Sequence, residues 1–205
     1  MTRIKTFLFL LFSLLTATIQ AQSDVNAYPP EGVYATFSAF RNGKPDIKKS
    51  QLVKSTAETE YTFRQWVNSE KMYYLDSNNQ KLSYDPSNFW GFVEKGVLHL
   101  FLGNRFHKVH TLGQISYFLE SYPVIKGNVA PVVTEVRSTS SYRLLDMETG
   151  DIHDYTVENL QDLLAPDEII FLEYKSIVSQ KEKKKKMYIY LEKFNNNHPL
   201  ERQAL

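Results

Sequence analysis

The sequence predicts an α+β domain: an antiparallel β-meander, folded as a sandwich or small barrel, with a short N-terminal helix and C-terminal helices packed on it. Three observations carry that expectation. Between residues 59 and 155, short runs of large apolar residues alternate with polar ones, and Gly, Asn or Asp interrupts them about every eight to ten residues. After residue 156 the apolar residues recur at the three- and four-residue spacing of a helix. The chain has 205 residues, 42% hydrophobic, with 8 Gly and 8 Pro, which suits one packed core and excludes collagen-like or low-complexity chains. No repeat of about 20–50 residues marks a solenoid or propeller.

The first 21 residues read as a secretory signal peptide. Arg3 and Lys5 give a positive start, Phe7 to Leu15 an uncharged apolar stretch, and Ala21 a small residue before polar Gln22–Ser23–Asp24. The apolar run is shorter than the roughly 20 residues of a membrane span, and no other stretch is long and apolar enough, so no transmembrane span is expected in the mature chain. Removing this segment deletes two basic residues and no acidic one, turning the net charge from +1 to −1. Of 13 Phe, 13 Tyr and 2 Trp, only Phe7, Phe9 and Phe12 leave with it. Residues 22–31, with Pro29–Pro30, read as an extended linker to a single domain over 32–200, and 201–205 as a tail.

Within the domain, Val33, Phe37 and Phe40 fall at helical spacing before the Asn42–Gly43–Lys44–Pro45 stop, predicting a short helix. Tyr61–Val67 alternates as a strand with one buried face. Met72–Leu75 and Lys81–Tyr84 flank Asp76–Gln80 as a hairpin, since Asn tolerates positive φ. Further strands follow at Asn88–Val93, Val97–Leu102, Arg105–Thr111 and Gln114–Leu119. Pro131–Val136 and Ser141–Asp146 continue them around a Ser/Thr loop, and Asp151–Tyr155 closes the β-rich core over 59–155. The helical part spans 156–196. Thr156 serves as N-cap for Val157–Leu164, and Pro166 opens a second helix carrying Ile170, Tyr174, Ile177 and Val178 on one face. Met187–Phe194 fits either a helix or a final strand.

Zero Cys removes disulfides, thiolate metal sites, cysteine nucleophiles and a lipid anchor on cysteine. There is no Gly-x-Ser-x-Gly elbow, Ser-x-x-Lys, phosphate-binding loop or His-Glu-x-x-His, so no cofactor and no metal is expected. His107 and His110, three apart on a strand, point to opposite faces and cannot chelate together. Asp76-x-Asn78-x-Gln80 resembles a calcium loop in ligand type, but Lys81 stands where the turn glycine belongs and Ser87 where the bidentate Glu belongs. The best local acid/base pair is Asp151 and His153, two apart on one strand face. A solvated hairpin strand accounts for the same residues.

Two features point to binding. Trp66, Tyr73, Tyr74, Tyr84 and Trp90 could stack on sugar rings where exposed, or fill the core, which aromatic side chains do efficiently. The run Lys181–Lys186, of which Lys183, Lys184, Lys185 and Lys186 are consecutive, could hold an anionic partner by screened Coulomb attraction, or could be a solvated helix face. Nucleic acid is excluded as a partner by export and a near-zero net charge.

Gly32–Val33–Tyr34, Phe40–Pro45, Trp90–Gly91–Phe92, Gly103–Phe106, Gly113–Gln114, Tyr117–Phe118, Tyr190–Asn195 and Asn197–Leu200 together resemble an uncharacterised exported family of Bacteroidota. The resemblance spans most of residues 32–200. It implies a periplasmic or cell-surface setting in a Gram-negative bacterium, and it carries no catalytic residue across.

The expectation is therefore an exported, non-catalytic binding or interaction protein of the periplasm or envelope, with an envelope glycan, anionic lipid or protein as partner. The alternatives are a hydrolase of an envelope polymer using dispersed groups such as Asp151 and His153, and a structural or assembly subunit.

Overall fold

The computed structural model describes residues 29–53, 62–68, 71–85, 88–126 and 135–200. The expected signal segment 1–21, linker residues 22–28, strand residues Tyr61 and Pro131–Thr134, and the tail 201–205 lie outside the described residues. In chain order the elements are β1 (Gly32–Tyr34), α1 (Phe37–Arg41), α2 (Phe63–Val67), β2 (Tyr73–Leu75), β3 (Lys81–Ser83), β4 (Gly91–Glu94) and β5 (Val97–Leu102). They continue with β6 (Arg105–Thr111), β7 (Ile115–Lys126), β8 (Glu135–Asp146), β9 (Ile152–Asp154), α3 (Val157–Leu163), α4 (Glu168–Lys175) and α5 (Gln180–Asn197).

Seven strands form one antiparallel sheet in the order β1-β4-β5-β6-β7-β8-β9, and β2 and β3 form a separate hairpin. The predicted α+β meander is thus β4 to β9, each strand beside its chain neighbour. The sheet is open: β1 pairs with β4 at one end and β9 with β8 at the other, without closing a barrel. Short turns enforce this order. Lys95–Gly96 and Gly103–Asn104 all have positive φ (52°, 72°, 54° and 62°), matching the two-residue turns whose twist suits paired strands. Asp76 closes the β2–β3 loop by accepting from the backbone N–H of Asn78 and Gln80, both at 2.8 Å, with Asn79 at φ 58°.

Strand alternation divides the core between the two sheet faces. On one face Val93, Leu98, Leu100, Val109, Phe118 and Leu145 pack with Tyr34 and with Phe40 of α1. The other face carries two separate covers. Phe92, Phe101 and Phe106 lie under α2 and the hairpin, with Phe63, Trp66, Met72 and Phe89. Ile115, Tyr117 and Leu144 lie under the C-terminal helices, with Leu160, Ile170, Tyr174, Met187, Leu191 and Phe194. Each fully buried side chain of this size contributes about 1.5–3 kcal/mol of transfer free energy, so these covers hold the fold without disulfides.

Three local expectations are corrected. Val33 belongs to β1, and the helix starts only at Phe37 because the Thr36 hydroxyl caps it, accepting from Ala39 N–H at 3.0 Å. Phe63–Val67 is a helix rather than a strand. Thr62 and Gln65 form a reciprocal capping box, and Phe63 and Trp66 bury one helical face. The Ser/Thr stretch before Ser141 stays within β8, whose ladder with β7 runs unbroken from Ile115–Asp146 to Lys126–Glu135. Of the two alternatives open for Met187–Phe194 the structure has the helix, inside α5.

The C-terminal helices begin at polar caps: Thr156 accepts from Asn159 N–H, Asp167 from Ile170 N–H, and Ser179 from Glu182 N–H. Ile170 and Tyr174 of α4 are buried as their spacing predicts, whereas Val178 lies beyond the helix and is 98% exposed. One side chain fixes α5 on the sheet. The Asn195 amide accepts from Ile115 N–H and donates to Ile115 C=O, both at 2.8 Å. Gly113 leaves the room for it, since a Cβ there would lie 2.4 Å from the Asn195 side chain. Among the described residues no helix is long and apolar enough to cross a membrane.

Candidate functional site

Between α2 and strands β4 to β6 lies a groove of about 690 Å³, within the size range of small-ligand sites. Its floor is aromatic. Phe106 stands 5.0 Å from Phe89, 5.1 Å from Phe92 and 5.0 Å from Phe101, centroid to centroid, in tilted and edge-to-face geometry. The strand period explains the floor, because Phe92, Phe101 and Phe106 all fall on the same sheet face, and Phe101 and Phe106 are directly paired.

The rim is cationic. Arg64 stands on α2, Arg105 at the start of β6 and Lys108 further along it, all exposed, with Asn68 and Asn104 also at the edge. Among the described residues no carboxylate lines the groove. Among the described residues Arg64, Arg105 and Lys108 have no acidic partner, unlike Arg143, which pairs with Asp154 and with Glu120. The nearby Glu94 is occupied, accepting from Phe63 N–H at the start of α2 at 2.9 Å.

His99 completes the site. Its ring stacks on Phe92, 4.6 Å apart and 9° from parallel, and its cross-strand neighbour is Lys108. Burial holds its pKa below the ordinary histidine value; Glu94 opposes this, and Arg64 and Lys108 reinforce it. The groove therefore offers an apolar floor, fixed positive charge and an imidazole that an entering anion would help to protonate. Among the described residues that line it, no nucleophile is paired with a base.

The residues singled out from sequence are distributed differently. Trp66 is fully buried beneath the groove; its indole N–H donates to Tyr73 C=O at 2.7 Å, and its ring meets Tyr84 and Phe89. Tyr74 and Tyr84 pack 6.2 Å apart in the same cluster, and the Tyr84 hydroxyl donates to Asn88 C=O. Burial pushes the Tyr84 pKa upward, assisted by Asp46. Tyr73 carries Lys81 over its ring, and Trp90 packs with Phe37 and Phe40 against the opposite sheet face. These five rings thus do not form one exposed platform.

Asp151 is exposed and His153 half-buried at β9, and neither lines the groove. His107 is buried and points away from exposed His110. Its Nε2 lies 3.2 Å from Leu102 C=O, and Ser121 N–H donates to Nδ1. Among the described residues no group of three or more His, Asp or Glu could hold a metal.

The lysine run is split by helix geometry. Lys183 shares the buried stripe of Met187, Leu191 and Phe194, with its ammonium donating to Gln161 at 3.2 Å and lying over Tyr174. Lys184, Lys185 and Lys186 are exposed, and Lys185 pairs with Glu182. The groove residues Arg64, His99, Arg105 and Lys108 were missed because they sit in three separate segments. The alternation of Phe101, Phe106 and Lys108 across the Gly103–Asn104 turn was the available signal.

No protein-family model, curated protein or solved structure matches the chain.

Proposed function

We propose that this is an exported, non-catalytic binding protein of the periplasm or envelope, and that its groove takes an anionic ligand with an apolar or ring-bearing body. The observation that carries the reading is the rim of Arg64, Arg105 and Lys108 around a phenylalanine floor, with no lining carboxylate among the described residues. Coulomb attraction selects the sign of the ligand, and the floor rewards desolvation of its body. The signal-like residues 1–21 and the resemblance to exported Bacteroidota proteins support the location.

Fluorescence titration with anilinonaphthalene sulfonate, which combines an anion with aromatic rings, tests the groove. Saturable binding should weaken as salt rises, because the screening length shrinks from about 10 Å at 0.1 M to about 3 Å at 1 M. The double variant Arg105→Gln/Lys108→Gln should lose at least tenfold in affinity with its fold intact by circular dichroism. Absence of binding, or binding indifferent to both salt and the double variant, would overturn the proposal.

A further inference from the structure

The groove's sheet face does not end at Lys108. Phe92 pairs with His99 and His99 with Lys108; the next residue of β6, Val109, pairs with Phe118 and Phe118 with Arg143, so Lys108 and Tyr142 flank that line and point to the opposite sheet face, the face of the groove. The groove's face thus continues as a row from Lys108 to Tyr142, two strands away. With strands about 4.8 Å apart, Tyr142 stands roughly 10 Å from Lys108 along that row.

At its far end is a cluster of four tyrosines. Tyr117 and Tyr142 are stacked, 5.2 Å apart and 17° from parallel. Tyr155 lies 5.1 Å from Tyr117, and Tyr188 of α5 lies 6.0 Å from it. Tyr142 is 50% exposed and Tyr188 41%, so this cluster reaches the surface that the phenylalanine core does not. Ser121 and Ser140 lie next along the same face, their hydroxyls 3.0 Å apart. Burial, together with the neighbouring phenols, pushes the Tyr155 pKa up to about 12 and raises that of Tyr117, so both hydroxyls stay neutral donors at physiological pH.

Stacked phenols beside hydroxyls suit a sugar. A pyranose presents a C–H face to a ring and hydroxyls to its edge, whereas an acyl chain gains nothing from the phenol and serine hydroxyls. We infer that the row from Lys108 to Tyr142 is an extended subsite, and that the groove's ligand is an acidic glycan. Its anionic groups meet the groove's cations and its sugar rings lie across β7 and β8 on the tyrosine cluster. This rests on the anion-binding reading of the groove.

Calorimetric titration with oligogalacturonate, hyaluronate and heparin hexasaccharides, alongside anilinonaphthalene sulfonate and neutral maltohexaose, tests it. At least one acidic hexasaccharide should bind, and maltohexaose should not. Tyr142→Ala should weaken the hexasaccharide about tenfold while leaving the sulfonate probe unchanged, and Tyr142→Phe should retain most affinity. Lys108→Gln should weaken both probes. Binding of the sulfonate without any acidic hexasaccharide would overturn the glycan subsite and leave the groove reading standing; failure of both would remove both. Equal losses on both probes in Tyr142→Ala would make Tyr142 a structural residue and overturn the subsite.

Discussion

Removing the Asn195 amide should loosen the C-terminal helices from the sheet. That side chain makes two hydrogen bonds to the backbone of Ile115, the first residue of β7, from eighty residues away. Each such bond is worth about 0.5–1.5 kcal/mol net, and a stranded, partly buried backbone group costs about 1–3 kcal/mol. Asn195→Ala should therefore destabilise by about 2 kcal/mol, or roughly 4–8 °C in Tm for a domain of this size. Asn195→Asp provides an internal check. Its carboxylate can still accept from Ile115 N–H but faces Ile115 C=O with a second acceptor, so it should be destabilised at neutral pH. Acidification should restore part of the loss, because the protonated acid can donate. Urea denaturation of the three proteins at neutral and acidic pH measures this. Asn195→Ala within about 0.5 kcal/mol of the parent, or Asn195→Asp as stable as the parent at neutral pH, would refute the clamp.

Three further outcomes follow from the same geometry. Trp66→Ala should cost about 3–5 kcal/mol in urea denaturation and abolish binding of the sulfonate probe, because the indole backs both Phe89 and the hairpin. Probe affinity should rise as pH falls from about 8 to about 5.5, since an anion favours the protonated form of His99, whose pKa burial depresses. His99→Gln should flatten that profile; without ligand, the depressed pKa makes the fold less stable as pH falls below the ordinary histidine value. Lys183→Met should change stability by less than about 1 kcal/mol by denaturation, because a similar apolar stem replaces a buried cation held by one neutral acceptor.

Legibility followed the range of the interactions. The β4–β5 and β5–β6 hairpins were readable because Lys95–Gly96 and Gly103–Asn104 encode their turns in adjacent residues. The start of α2 was encoded just as locally, in Thr62 and Gln65, yet the bulky residues beside it imitate strand alternation. Lys183 looked like its three neighbours in a charge run, although its spacing to Met187, Leu191 and Phe194 already marked a helical stripe. The tyrosine cluster joins β7, β8, the approach to α3 and α5, and no local pattern links those segments.

By itself, then, the sequence determined the fold class, the meander and the helical C-terminal part, because strand and helix periods and turn chemistry are properties of neighbouring residues. The tertiary structure alone decided which aromatic rings are buried and which charges share a rim. Trp66 is buried on the inner face of α2 while Tyr142 reaches the surface, although both are large aromatic residues in runs of similar composition. The difference lies in what the sheet face receives as cover: α2 and the hairpin over β4 to β6, the C-terminal helices over β7 and β8, with Lys108 and Tyr142 left exposed. Register and cover are set by contacts between residues distant in the chain, and those contacts turn scattered cations and phenols into a surface.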